Sequence, residues 1–334
     1  MTDERAGLRE VSRRAGVRRV AELAGVSPAT VSRALREGTP VSADTRERVR
    51  RAAVSVGYPL PARTLTVAVL ARLPTRWFFA EAVAGVEAVL SAGGHLTQLH
   101  NVGDPASRRH FFDTLPVRGR VDGLILVASA LDDAERSALD ELDLPVTVVG
   151  GDMPGRPRVG VDDRAGARAA VRHLAGLGHR EIALVSFDPY EACGRTTARD
   201  RRAGWADALA ESGAAPGPVV EVGADVTAGD TAAGRLLSLP RLPTAVFAMS
   251  DEAAIGVART LRRAGVEVPG RVSVVGFDDH EMAAVADLTT VAQPVRRQGE
   301  LAARALLATV AGDTPADVEL PTRLVVRGTT APPR

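Results

Sequence analysis

Apolar positions between residues 17 and 35 fall at helical spacing, break, and resume. Val17, Val20, Ala21 and Ala24 make one stripe, and Val31, Ala34 and Leu35 make a second. Between the stripes stands Gly25-Val26-Ser27-Pro28. Gly25 suits a tight turn that a Cβ resists. Val26 can fill the angle between two helices, Ser27 has the chemistry of an N-cap, and Pro28 fits a first helical position, where its missing N–H costs nothing. The pattern predicts two short helices around a tight turn, with Pro28, Ala29, Thr30, Ser32, Arg33 and Arg36 facing outward from the second. A third helix is predicted after Ser42, with Asp44 in its first turn, Val49, Ala52, Ala53 and Val56 on its buried face, and Gly57 at its end. Tyr58-Pro59-Leu60-Pro61 breaks the periodicity and marks a domain boundary at residues 58–64.

Beyond that boundary the pattern changes. Leu65–Leu70, Gly123–Ala128, Pro145–Val149, Ile182–Ser186, Ala245–Ala248 and Val272–Phe277 are short runs rich in Val, Ile and Leu, as expected of parallel strands buried on both faces. Helical patterns lie between or after them at Phe79–Ala92, Asp163–Leu177, Arg201–Glu211, Glu252–Ala264 and Arg297–Ala311. Alternation of this kind predicts doubly wound parallel sheets. So many strands exceed one domain, so two α/β lobes are expected, with a ligand cleft at the carboxyl ends of their strands and a first crossing between lobes near Val161–Asp162.

Charge sharpens the division. Residues 1–64 hold 13 arginines against 7 acids, and the remainder 29 against 34; lysine is absent from the chain. A basic head on an acidic body suits a protein that neutralises phosphates with one end, through guanidinium groups alone. The single cysteine, Cys193, excludes an intrachain disulfide and fits a small packed residue in a reducing compartment. Met1–Arg14 is charged and has no apolar core of a signal peptide, and no run approaches the length of a transmembrane helix. A cytoplasmic protein without membrane contact is therefore expected. Arg9–Val17 is echoed by Arg18–Val26, but only the second copy leads into a capped helix, so residues 1–16 are treated as an N-terminal extension.

The capped second helix with its outward face has the layout of a DNA-binding helix-turn-helix, whose second helix enters a major groove. An ordinary αα-hairpin shares the spacing but not the combination of capping, glycine placement and outward charge. Enzyme chemistry finds little support. The six histidines are scattered, and there is no G-x-S-x-G elbow, P-loop or metal-ligand spacing. Asp162-Asp163 and Asp278-Asp279 are adjacent carboxylates, which usually point apart. No catalytic residue, metal or cofactor is expected.

The chain resembles the lactose-repressor/galactose-repressor (LacI/GalR) family of bacterial transcription regulators. The resemblance runs from Val17 to the C-terminus. It rests in the head on Val20–Arg33, Val41–Val49 and Gly57-Tyr58. In the body it rests on Val121–Leu126, Val159–Asp163, His173-Leu174, Leu177–Arg180, Arg201–Trp205, Pro243–Phe247, Val275–Asp279, Leu288–Val291 and Gln293-Pro294. It implies an all-α helix-turn-helix head followed by a two-lobe body like the periplasmic binding proteins. It also implies a homodimer on a pseudo-palindromic double-stranded operator, regulated by a small, sugar-like effector. The corresponding domains are 1–16, the extension; 17–58, the DNA-binding head; 59–66, a short linker; and 67–334, the effector-binding and dimerisation body. A solute-binding receptor shares the lobes but would have no use for the basic head.

Carried over by position, Pro28, Ala29 and Arg33 are implied to face bases. Arg33 can grip guanine O6 and N7 together, whereas Pro28 and Ala29 offer apolar contact. The hydroxyls of Thr30, Ser32, Ser42 and Thr45 are implied to position phosphates, and Ser27 and Arg36 complete the implied DNA-contacting set. The implied effector set is Trp77, Phe78, Phe79, Arg201, Ser250, Asp251, Asp278 and Gln293, with Phe79 the aromatic expected to pack in the core. Ser250-Asp251 stands where the family usually has Asn-Asp, and Gly150-Gly151 where many members have an acid and a base. The family's hinge helix, which wedges a leucine into the minor groove, has little room here. Eight residues, Pro59–Thr66, separate Tyr58 from Val67, and two are prolines. Leu65 is expected to be core rather than wedge.

Overall fold

Val20, Ala21, Ala24, Val31, Ala34, Val49, Ala52 and Ala53 close around one another to form the small core of the head. They come from α1 (residues 16–24), α2 (Pro28–Ala34) and α3 (Ala43–Ser55). In the computed structural model, the residues described are 16–35, 40–58, 63–118, 121–129, 131–187, 195–223 and 227–334. Arg36, Cys193 and residues 1–15 and 59–62 lie outside them. The chain divides into two units, one ending at Thr64 and the other beginning at Leu65.

The turn of the head follows the local chemistry of its sequence. Gly25 has a φ of 64°, and Val26 N–H donates to Ala21 O at 3.0 Å. Ser27 caps α2 by accepting from Thr30 N–H at 3.1 Å, with Pro28 in the first turn. Ser42 caps α3 in the same way, at 3.3 Å from Thr45 N. Arg46 of α3 donates Nη1 to Ala34 O at 2.9 Å, satisfying a carbonyl at the end of α2 that the helix leaves unpaired.

In the body, the first lobe is built from β1 (Thr66–Ala71), α4 (Trp77–Ala92), β2 (Leu96–Asn101), α5 (Pro105–Arg118), β3 (Gly123–Val127), α6 (Asp133–Glu141), β4 (Val146–Val149) and β5 (Arg158–Val161). The second contains α7 (Asp163–Gly176), β6 (Glu181–Phe187), α8 (Arg195–Ser212), β7 (Ala215–Val222), α9 (Ala228–Leu237), β8 (Ala245–Ala248), α10 (Asp251–Arg263), β9 (Ser273–Asp278), α11 (Glu281–Val285) and β10 (Thr289–Ala292). The chain then returns to the first lobe for α12 (Val295–Val310) and β11 (Val318–Leu320), and ends the sheets with β12 (Arg323–Val325) in the second.

The strand orders are β11-β5-β4-β3-β1-β2 and β12-β10-β9-β8-β6-β7. Pairing is parallel throughout except between β10 and β12. Crossings between lobes fall at Val161–Asp163, Ala292–Val295 and Leu320–Arg323. The central strands β3, β4, β8 and β9 are buried at every position, which explains their continuous apolar runs. β2 and β7 lie at sheet edges and have mixed sequences, so strand periodicity does not reveal them. Helix α8 starts six residues before the pattern suggested and carries Arg201 in its interior.

Leu65 is 6% exposed at the entry to β1. Its N–H donates to His95 Nδ1 at 3.2 Å, and its carbonyl accepts from Leu96 N–H at 2.7 Å. It is thus part of the body's packed edge. On the opposite side of that lobe α12 lies close against α4. A Cβ on Gly299 would stand 2.1 Å from Ala82 O, so glycine is required for this approach.

Candidate nucleic-acid interface and ligand cleft

On α2, burial of Val31 and Ala34 turns Pro28, Ala29, Ser32 and Arg33 outward, and all four are exposed. Arg33 Nε donates to Ala29 O at 3.4 Å, so its stem lies back along the helix while the fork remains at the surface. Ser32 aside, the implied DNA-contacting hydroxyls are paired. Ser27 Oγ and Thr30 Oγ1 are 2.8 Å apart, and Ser42 Oγ donates to Thr45 Oγ1 at 2.8 Å. Each pair uses one O–H internally and leaves the other to donate to a phosphate oxygen, so capping does not exclude a phosphate contact.

The carboxyl ends of both parallel sheets face one cavity in the body. Its first-lobe wall includes Leu73, Phe78, Phe79, Ala128, Gly150 and Val161; its second-lobe wall includes Ser186, Arg201, Ser250 and Asp278, with Gln293 from the crossover. Phe78 and Phe79 give the first-lobe wall an aromatic patch, and both walls mix apolar with polar side chains, Arg76 on the first and Val185, Phe187 and Met249 on the second. Phe78 and Phe79 meet edge to face, 5.6 Å between centroids. Phe79 is 7% exposed, so it both packs in the core and lines the cavity. Gly150 has a φ of 59°, and a Cβ there would lie 2.9 Å from Phe78 Cζ. Its lack of a side chain admits the ring.

Arg201 is held on several sides. Its Nε donates to Asp163 Oδ1 at 2.8 Å, its Nη1 donates to Met249 O, and its guanidinium lies 3.6 Å from the centroid of Phe277. Asp278 Oδ1 is 3.8 Å from Arg201 Nη1 and accepts from Gln293 Nε2 at 2.7 Å. Burial pushes the Asp278 carboxyl up to about 8 although Arg201 pulls the other way. The adjacent acids diverge. Asp279 pairs with Arg327 at 2.7 Å, and Asp162 caps α7 by accepting from Ala165 N–H at 2.8 Å.

Of the eight implied effector residues, Phe78, Phe79, Arg201, Ser250, Asp278 and Gln293 line the cavity, and Trp77 and Asp251 do not. Trp77 points instead to the other lobe, its ring centroid 5.2 Å from that of His280. Asp251 is fully buried beneath the site. It accepts from Thr290 Oγ1 at 2.5 Å and His280 N–H at 2.8 Å, tying the starts of α10 and α11 to β10. Burial raises its carboxyl to about 6.

Arg76, Asp163, Glu252 and Gln298 also line the cavity and were not among the candidates. For Gln298 a signal existed: it falls on the buried stripe of α12 with Val295, Gly299, Ala302 and Leu306. Among the described residues there is no cluster of metal-ligating side chains, and no helix is long and apolar enough to cross a membrane.

Known proteins of the same construction exist. Residues 17–59 match the group described as bacterial regulatory proteins, lacI family, and residues 171–330 match the periplasmic binding protein-like domain. The HTH-type transcriptional repressor CytR of Escherichia coli (strain K12) is 32% identical over 322 residues, covering 91% of this chain and 93% of that one. Among solved structures, a transcriptional regulator CelR–cellobiose complex aligns with a TM-score of 0.71 at 32% identity, over 94% of this chain and 99% of that one. The lac repressor dimer bound to operator and the anti-inducer ONPF aligns with a TM-score of 0.72 at 28% identity, over 93% and 98%. With a helix-turn-helix head, a two-lobe body and relatives matched along nearly its whole length, the chain belongs to the LacI family of bacterial transcriptional regulators.

Proposed function

We propose that this protein is an effector-responsive repressor that binds a pseudo-palindromic operator as a homodimer. Residues 17–58 bind the DNA, and the body, residues 67–334, takes a small sugar-like molecule between its lobes. The observation that carries the reading is the exposed face of α2, where Pro28, Ala29, Ser32 and Arg33 stand together on a capped helix. Such a face presents a bidentate donor for guanine beside small residues that let the helix sit deep in a groove. Two heads related by a two-fold axis would give a short helix adequate affinity. A dimer is further supported by β2, an edge strand with Leu96 58% and Leu99 48% exposed, which a second copy would cover. Divergent acids and an Arg201 held by Asp163, Met249 and Phe277 suit binding rather than catalysis, and work on an operator fits a cytoplasmic protein.

Selection of random DNA duplexes by the full chain, followed by sequencing, tests this function. Enrichment of two inverted half-sites is expected. Enrichment of nothing, or of a single site without symmetry, would overturn the reading.

A further inference from the structure

Gln298 is wholly buried in α12, and its two polar ends are treated differently. Its Nε2 donates to Gln293 Oε1 at 2.9 Å, and Gln293 Nε2 donates in turn to Asp278 Oδ1 at 2.7 Å. Gln298 Oε1 is closed off from solvent and has no hydrogen-bond partner among the described residues. A buried acceptor without a donor costs stability, and an apolar side chain of the same size would remove that cost. The neighbours Val295, Ala302 and Leu306 on the same face show that α12 otherwise packs with apolar groups. Gln298 lines the cavity, and since its Oε1 is sealed in the present arrangement, a donor on a bound molecule reaches it by a shift of the side chain.

The charges around the cavity are already matched. Arg201 pairs with Asp163 at 2.8 Å, and Arg76 with Glu252 at 2.6 Å. Burial pushes Asp278 towards its neutral form, so it adds no free partner for a cation to the cavity. An anionic ligand would have to displace a carboxylate to gain a cation. Phe78 and Phe79 offer an apolar wall suited to the face of a ring.

We propose that Gln298 is a specificity-determining residue of the cleft, its Oε1 accepting an O–H or N–H of an uncharged, ring-bearing effector such as a glycoside or nucleoside. The proposal rests on the effector-cleft reading above. Gln298 belongs to the first lobe, Gln293 to the crossover and Asp278 to the second lobe. A ligand that donates to Gln298 while bonding the second-lobe wall engages both ends of this amide relay and ties the lobes together.

Thermal melting and calorimetry of the full chain test it. The probes are cellobiose, methyl β-glucoside, cytidine and adenosine, beside glucose 6-phosphate, cytidine 5′-monophosphate and adenosine 5′-monophosphate. At least one neutral probe is expected to raise the melting midpoint, with the phosphorylated probes at least tenfold weaker. Gln298→Leu should weaken the bound probe at least tenfold while leaving the unliganded protein folded and the Kd of the deoxy analogue, which lacks the contacted hydroxyl, unchanged. A merely structural role would not do this. Failure of every neutral probe, equal or tighter binding of a phosphorylated one, or an unchanged Kd in Gln298→Leu overturns the proposal. If Arg201→Lys abolishes binding while Gln298→Leu does not, the cleft reading survives and only the role of Gln298 falls. If neither changes the Kd, the cleft reading falls too.

Discussion

Arg76 Nη2 and Glu252 Oε2 stand 2.6 Å apart, joining the approach to α4 in the first lobe to the first turn of α10 in the second. Their side chains are 15% and 28% exposed, so water screens the pair only in part. Close by, Trp77 and His280 make a second contact between the same lobes. Together these contacts join the two lobes at one edge of the cleft.

Glu252→Gln is expected to loosen that edge. Loss of the pair should cost up to about 1 kcal/mol. For a body of this size the melting midpoint should then fall by about 2–4 °C. Solution scattering without effector should show a larger radius of gyration. An unchanged midpoint together with an unchanged radius would mean that the pair does not hold the lobes.

Arg33→Ala should weaken operator binding by about 1–3 kcal/mol and relax preference at one base pair in each half-site. Gel-shift titrations against operators changed at single positions measure both effects. An equal loss of affinity for every sequence would identify Arg33 as a phosphate contact instead.

Arg201→Lys keeps the charge but lacks the fork that serves Asp163, Met249 and the Phe277 ring together. Effector affinity should fall by about 1.5–3 kcal/mol, the range for a lost hydrogen bond to a charged group. Calorimetry giving the wild-type Kd would remove Arg201 from the effector site.

The head was legible because its devices are local. Gly25, Ser27 and Pro28 act on residues at most a few positions away, and each residue type has one strong use there. The buried central strands were legible because burial on both faces leaves mostly Val, Ile, Leu, Ala and Phe. Strand β2 was not, because Leu96-Thr-Gln-Leu-His-Asn101 lies at an edge with little of it buried. The cleft was partly legible through Arg201, Asp278 and Gln293, whose surrounding motifs carry the family resemblance. Trp77 and Asp251 share those motifs but answer to partners that only the fold brings near: His280 for Trp77, and Thr290 with the His280 backbone for Asp251. Arg76 and Glu252 lie far apart in the chain, and neither carries a local sign of the other. Gln298 sits in Arg296-Arg-Gln-Gly-Glu300, which resembles a solvated turn of helix until its place on the buried stripe is counted.

Asp278 gives the cleft a pH signature. Its folded carboxyl titrates near 8 against an ordinary value of 3.8, so between these values the folded protein binds a proton that the unfolded chain has released. Its contribution therefore lowers stability as pH rises from about 4 to 8, and becomes constant above that range. Asp278→Asn should remove this slope. Denaturant melts of both proteins at several pH values in the window measure it, and parallel curves would show that Asp278 does not titrate there.

Leu65→Ala should act on the body. Truncating a buried leucine typically costs about 2–5 kcal/mol, and Leu65 is 6% exposed where the chain enters β1. Operator bending should be small in the wild type and unchanged in the variant, as measured by circular permutation of the binding site. Strong central bending that disappears in Leu65→Ala would identify Leu65 as a minor-groove wedge.

The coupling of head and cleft is tested most directly by titrating the selected operator with the full chain, by fluorescence anisotropy, with and without the neutral probe that stabilises the protein. A coupling free energy of about 1–3 kcal/mol corresponds to a change in operator Kd of about 5–150-fold. A shift in that range is predicted for the wild type, together with its disappearance in Arg201→Lys. An operator Kd that is the same without probe and at saturating probe would contradict an effector-responsive repressor.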